Sequence, residues 1–350
     1  MHSRATQYLQ SLESNIEQFQ NNTLVLRLVL SIAVFVSHFY AVYGLPEPGI
    51  PFGIHSWGWY AVNAFFLISG VLISQSYRNR DFISFAVSRV LRIYPAYIIA
   101  IFFTVLAAVA FTEPSHGGKA MLLEVINIVT LNLVPLTLFE GSISGAWANT
   151  AIPGALNGSL WTIPFEVMSY IFVIPLFFDR NLKKVIKLLL AVVFVYVMSH
   201  SHVISTGIRY DLLRVFGYFI IGIGVYDLVK ARKLNANIII GLIIIYVCEP
   251  IIKEFAVNIV LTVATIHLAL YWKKFSFMKN DYSYAIYLFA WPVTQIIVSN
   301  FDTSVYVELL YAAVLLSLLS YVSWHYVEKP SLRLKRIGLQ NWFVFRSTKS

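Results

Sequence analysis

The chain has 350 residues and one cysteine, Cys248. That excludes an internal disulfide and any cysteine-built metal cluster. Charge is scarce as well, 12% of residues against 58% hydrophobic, with a mean hydropathy of +0.71. A soluble fold cannot hide that much apolar surface, whereas a polytopic membrane protein has no need to. Phosphate-binding glycine loops, dinucleotide fingerprints, metal-binding helix signatures and serine elbows are all missing. So is the aromatic–basic pattern of nucleic-acid binding. No metal and no nucleic-acid partner is therefore expected. The first twenty residues are polar (MHSRATQYLQSLESNIEQFQ), so no cleavable signal peptide is expected either. There is no internal repeat and no separate soluble domain.

What is present is a series of apolar runs, at 24–44, 57–77, 93–112, 160–178, 183–200, 210–228, 236–252, 255–272, 282–299 and 304–325. They predict an all-α, polytopic protein with about ten transmembrane helices. An eleventh, weaker run at 121–139 carries Glu124, Asn127, Asn132 and Pro135. The net charge is +9, and its basic residues cluster between the runs. One cluster is Arg78, Arg80, Arg89 and Arg92; another is Arg180, Lys183, Lys184 and Lys187. Lys230, Arg232 and Lys233 follow, then Lys273, Lys274 and Lys279, and finally Lys329, Arg333, Lys335 and Arg336. All of them fall on one side only if 121–139 does not cross. The positive-inside rule thus makes that run an outer-face or re-entrant segment and puts both termini in the cytoplasm. Three regions follow: a cytoplasmic segment at 1–23, a membrane domain at 24–330 with an extracytoplasmic loop at 113–159, and a basic cytoplasmic tail at 331–350. Tyr8, Leu9, Leu12, Ile16 and Phe19 recur at helical spacing. The first segment is either an amphipathic surface helix or a tail.

Ionisable residues inside the runs are the candidate chemistry, because burying them in lipid is costly. Arg27 and His38 are eleven positions apart on the first run. That is three helical turns, so they share one face about 16 Å apart along the axis. His38 is either a satisfied core group or a proton acceptor for a hydroxyl near neutral pH. Glu166, in GSLWTIPFEVMSY, lies about 9 Å into its helix, at a depth similar to His38. It is either a partner for an imidazolium or a structural carboxylate bonded to Tyr or Trp. Arg89 and Arg92 share a helix face at the cytoplasmic mouth, level with Arg27. Three guanidinium groups suit phosphate, and the alternative is plain positive-inside anchoring. In GWYAVNAFFLISG, the small residues Gly58, Ala61, Ser69 and Gly70 permit close helix approach or leave room for a ligand. Arg209, Asp211 and Arg214 form either a closed ion network or a polar acceptor contact. His267 reads as structural, and His200 and His202 as solvated.

Taken in order, these stretches resemble the membrane-bound acyltransferase 3 family from about Leu24 to Pro330. Arg27 and His38 match its Arg-x10-His signature. GWYAVNAFFLISG is similar to its Gly-rich Phe-Phe-x-x-Ser-Gly stretch, and Arg89 and Arg92 match its Arg-x-x-Arg motif. SLWTIPFEVMSY is similar to its Trp-Ser-Leu-x-x-Glu block, which maps onto Glu166. SYAIYLFAWP and YVEKP resemble its late Ser-Tyr-x-x-Tyr-Leu block and closing Glu-x-Pro. Two departures stand out: Ala61 replaces a frequent Gly, and Ala290 stands where many relatives carry His.

The resemblance implies transfer of an acyl group, usually acetyl, from cytoplasmic acyl-CoA to a hydroxyl of a surface polysaccharide or lipid-linked glycan, such as lipopolysaccharide O-antigen. It also implies residence in the bacterial inner membrane. On this reading His38 is the general base and Glu166 stabilises its imidazolium. Arg27, Arg89 and Arg92 hold the phosphates of acetyl-CoA, and Ser69 and Gly70 flank its arm. An acyl-His38 intermediate is the rival route. An acyltransferase for a small metabolite and a lipid-linked-sugar flippase are the competing functions. The missing inverted repeat counts against transport.

Overall fold

The computed structural model describes residues 2–48, 55–111, 118–136, 139, 141–174, 208–230, 253–271 and 278–334. The expected spans at 183–200 and 236–252, together with His200, His202 and Cys248, lie outside them, as does the side chain of Arg209. Among the described residues the regular structure is all helical. Four helices among the described residues are long and apolar enough to cross a membrane: Asn22–Tyr43, Trp57–Arg78, Phe82–Ala110 and Val305–Leu334.

Helix α1 runs unbroken from His2 to Tyr43. Nothing in that stretch stops it, since it holds neither Gly nor Pro. At 1.5 Å per residue it is about 63 Å long, twice a bilayer core. Its polar first half therefore projects beyond the membrane as a continuation of the span. Helix α2 (Trp57–Arg78) is capped by Ser56, whose hydroxyl accepts from Trp59 N–H at 3.1 Å. Helix α3 (Phe82–Ala110) is capped by Asp81, which accepts from Ser84 N–H at 2.9 Å. Each cap satisfies one of the donors that a helix start leaves bare.

Helix α4 (Gly118–Asn132) covers the weak eleventh run. Its 15 residues make only about 22 Å. Its far end meets the first half of α3: Tyr97 donates to Asn132 C=O at 3.0 Å and Tyr94 to Leu133 C=O at 2.8 Å. The chain then climbs back, and Asn157 donates to Thr104 Oγ1 near the other end of α3. So α4 runs along α3 as far as Tyr94 and Tyr97, and the chain then returns towards the end it came from. Helix α5 (Ile163–Val173) then descends from the turn Leu160–Thr162, with Pro164 in its first turn.

Helix α6 (Ile208–Lys230) crosses α2 where Gly70 faces Gly222. A Cβ on Gly70 would lie 1.9 Å from the Phe219 carbonyl oxygen, and one on Gly222 2.1 Å from that of Leu67. This is the close backbone approach that small residues permit in membranes. Helix α7 (Lys253–Tyr271) ends beside Asn22, whose amide donates to Ala269 C=O at 3.2 Å. Helix α8 (Ser283–Asn300) is buried along almost its whole length. Its Ser283, Tyr284, Tyr287, Thr294 and Gln295 make it less apolar than a lipid-facing span. Helix α9 (Val305–Val322) continues through a π-helical turn, Ser323–Glu328. Apolar side chains on α3 (Val90, Phe102, Leu106) and α9 (Leu310, Val314, Leu318) are exposed, the mark of surfaces solvated by lipid.

The basic ends of α2, α3 and α9 and the start of α8 gather at one end of the bundle. Arg78 lies over the Tyr226 ring of α6 at 4.9 Å, and Arg92 reaches the turn before α8 and the end of the π segment. The clusters on these elements thus share one side, as the positive-inside argument requires.

Candidate active site

At the basic end, the turn before α8 places Asp281 between two arginines from distant parts of the chain. Its Oδ2 lies 2.8 Å from Arg27 Nη1 and 2.6 Å from Arg92 Nη2. Its Oδ1 accepts the Ser283 hydroxyl. Burial alone would raise this carboxyl's pKa, but Arg27 and Arg92 outweigh that and hold it at about 2. Arg92 also reaches Glu328 Oε2 at 3.4 Å. The π turn brings Ser323 under Glu328, five residues on, so its hydroxyl donates to Oε1 at 3.1 Å. Four ionisable groups from α1, α3, the α8 turn and the end of α9 thus close on one another. Arg92 lies over the Tyr284 ring at 5.3 Å.

A narrow cavity of about 60 Å³ leads from this cluster into the bundle. That holds only a few waters. Arg27, Arg92 and Ser283 line its lower end; Ser69, Phe66 and Glu166 its wall; Val62, Thr162 and Tyr287 its upper end. Glu166 accepts from the Tyr170 hydroxyl one helical turn below. Thr162 and Tyr287 share a 2.7 Å hydrogen bond across the top.

His38 sits one turn beyond that bond. Its Nδ1 is 3.3 Å from Ser159 Oγ, three residues before Thr162. The Trp291 ring, one turn after Tyr287 on α8, meets it edge-on at 5.0 Å and 77°. Along α1, then, arginine, cavity and imidazole follow one another over about 16 Å.

A family profile described as an acyltransferase domain, acyltransferase 3, matches residues 25–326. The chain belongs to this family. An acyltransferase 3 protein with apolar helices of this length is a multi-pass membrane protein. The chain is also similar to an O-acetyl transferase of Shigella phage Sf6, 29% identical over 324 residues, covering 87% of this chain and 94% of that relative. No solved structure matches it.

Within this acyltransferase 3 bundle the expected residues fall into separate places. Arg27 and Arg92 converge, and Glu166 and Ser69 line the same cavity. Arg89 does not join them. Its guanidinium lies 5.8 Å from the Phe85 ring and 5.5 Å from the Tyr170 ring, beside an apolar groove of about 400 Å³ between α3 and α5. Gly70 is at the α2–α6 crossing and not on the cavity wall. His38 and Glu166 are not brought together, because Glu166 is about two turns deeper, bonded to Tyr170. At the outer end Arg214 bonds Asn63 and Asp211 and lies 4.9 Å from the Trp59 ring. That ties α6 to α2. His267 is on the exposed face of α7.

Asp281, Glu328, Ser159, Tyr287 and Trp291 are the site residues that sequence reasoning left without a role. Glu328 and Tyr287 stood inside quoted motifs, and Ser159 opened one. Asp281 had a weaker signal: a lone carboxylate between a basic cluster and an apolar run, with more arginines at that level than carboxylates.

Proposed function

We propose that the protein transfers an acetyl group from cytoplasmic acetyl-CoA, across the inner membrane, to a hydroxyl of a surface carbohydrate such as lipopolysaccharide O-antigen. The observation that carries this reading is the order along α1: arginine cluster, cavity, then an imidazole one turn beyond. The name of the phage relative supports acetyl as the group and oxygen as the acceptor atom.

The thioester enters from the basic end and the acceptor from the other. His38 Nε2 removes the hydroxyl proton as the oxygen attacks the thioester carbonyl carbon. The carbon–sulfur bond breaks, the ester forms, and the leaving thiolate takes the proton back from the imidazolium. The cavity as it stands is too narrow for a pantetheine arm, so Thr162 and Tyr287 must part for the thioester to meet His38. Arg27 and Arg92 are already engaged by carboxylates, which argues for Arg89 as the guanidinium that meets a donor phosphate; among the described residues it has no carboxylate partner. Glu166 on this reading balances the charge of the lower cavity and does not touch His38.

The test is a mass comparison of surface polysaccharide from cells with the protein and without it. The expected result is one extra acetyl per modified repeat, lost with His38→Ala. Identical masses contradict the proposal.

A further inference from the structure

The segment 155–159 is built as a hydrogen-bonded cradle beside the His38 ring. Asn157 anchors it: its amide donates to Thr104 Oγ1 of α3 at 3.0 Å and to Leu288 C=O of α8 at 3.1 Å. The carbonyl of the same side chain accepts Ser159 N–H at 3.0 Å. Trp291 Nε1 donates to Ala155 C=O at 2.8 Å. Gly158 lies flat under the Trp291 ring, where a Cβ would come within 2.5 Å of Cε3. Ser159 itself is fully buried, and among the described residues its hydroxyl has one partner, His38 Nδ1.

A general base needs one bare ring nitrogen, and the hydrogen bond at the other nitrogen decides which one that is. A carboxylate usually does this work. Here no charged group is in contact with the ring among the described residues: α8 offers Trp291, the cradle offers Ser159, and Glu166 is turned towards Tyr170. Glu47, on the outer side, is occupied by Ser37 Oγ at 2.7 Å and Trp57 N–H at 2.8 Å. We infer that Ser159 is a positioning residue. It accepts from His38 Nδ1–H, holds the imidazole in that tautomer, and leaves Nε2 bare to take the acceptor hydroxyl's proton. When Nε2 is protonated the same bond persists, because both nitrogens of an imidazolium donate. A neutral hydroxyl does this without burying a second charge.

This inference rests on the proposed role of His38, and its test separates the two. The full chain, labelled with 15N-histidine and held in lipid nanodiscs, reports ring tautomers directly, with the His38 signals assigned by their loss in His38→Ala. The wild type is expected to show Nδ1–H and a bare Nε2, and Ser159→Ala a mixture of tautomers. Ser159→Ala removes one oxygen and keeps every backbone bond of the cradle, so its melting temperature should stay close to wild type. Its kcat is expected to fall about tenfold to a hundredfold with the KM for acetyl-CoA unchanged, and Ser159→Thr, which keeps the hydroxyl, to recover most of it. A wild-type His38 carrying its proton on Nε2, or Ser159→Ala turning over at the wild-type rate, overturns the inference. A pinned tautomer in a protein that transfers no acetyl supports the positioning and refutes the acetyl-transfer reading instead.

Discussion

Replacing Asp281 by Asn tests whether the arginine cluster holds the bundle together. The substitution keeps the side chain's shape and removes its charge, so Arg27 and Arg92 face a neutral amide. Arg92 retains Glu328; Arg27 has no other ion pair among the described residues. Breaking a buried ion pair by neutralising one side costs about 3–5 kcal/mol. A second route gives a lower figure. The carboxyl is held at about 2 against an ordinary 3.8, and that shift corresponds to roughly 2 kcal/mol. Together they bracket the loss at about 2–5 kcal/mol, or roughly 3–7 °C in melting temperature for a chain of this size. The assay is thermal unfolding in detergent, with Asp81→Asn as a control that disturbs only an exposed helix cap. The pH dependence has a definite sign. Because the folded pKa is depressed, Asp281 contributes fully above 3.8, and its contribution disappears as pH falls through about 2. The wild type should lose melting temperature over that interval, and Asp281→Asn should lose less. A variant that melts within a degree of wild type at neutral pH refutes the reasoning.

Three further outcomes follow from the same geometry. Gly70→Ala drives a Cβ into the Phe219 carbonyl and should force α2 and α6 apart, lowering folded yield and melting temperature by the equivalent of about 1–3 kcal/mol or more; unchanged melting contradicts the close crossing. Arg92→Lys should not restore what Arg92→Ala loses, since one ammonium cannot span Asp281 and Glu328 as a planar guanidinium does; melting and turnover equal to wild type contradict that. Arg89→Ala should raise the KM for acetyl-CoA several-fold and leave melting nearly unchanged, because its contacts are ring faces and not carboxylates; an unaltered KM removes Arg89 from donor binding.

Much of this fold was legible because membranes restrict the options. Apolar runs gave the helices, and charge asymmetry anticipated basic ends gathered together. The sequence left 121–139 as outer or re-entrant; what it did not show is that Tyr94 and Tyr97 of α3 bond the carbonyls of Leu133 and Asn132, so that α4 lies along α3. The continuity of α1 was less visible, since a polar stretch before a span reads equally as helix or tail. Within the site, the eleven-residue spacing put Arg27 and His38 on one line. The partners of each were not readable, because they come from across the chain. Asp281 is 254 residues from Arg27, and Ser159 is 121 from His38. Helix rise brought Glu166 level with His38, but His38 meets Ser159 at the top of the Leu160–Thr162 turn, about two turns above Glu166, which Tyr170 takes. Gly70 shows a similar limit: a small residue in a span signals close approach, and only the facing Gly222 says to what.

The most direct measurement uses sealed liposomes carrying the protein in one orientation. Acetyl-CoA is supplied on the side of the arginine cluster and O-antigen polysaccharide is enclosed on the other. Acetyl ester on the enclosed polysaccharide, matched by free CoA outside and absent with His38→Ala, is the expected result. Acetylation that proceeds without His38, or CoA released with no ester across the bilayer, contradicts the account.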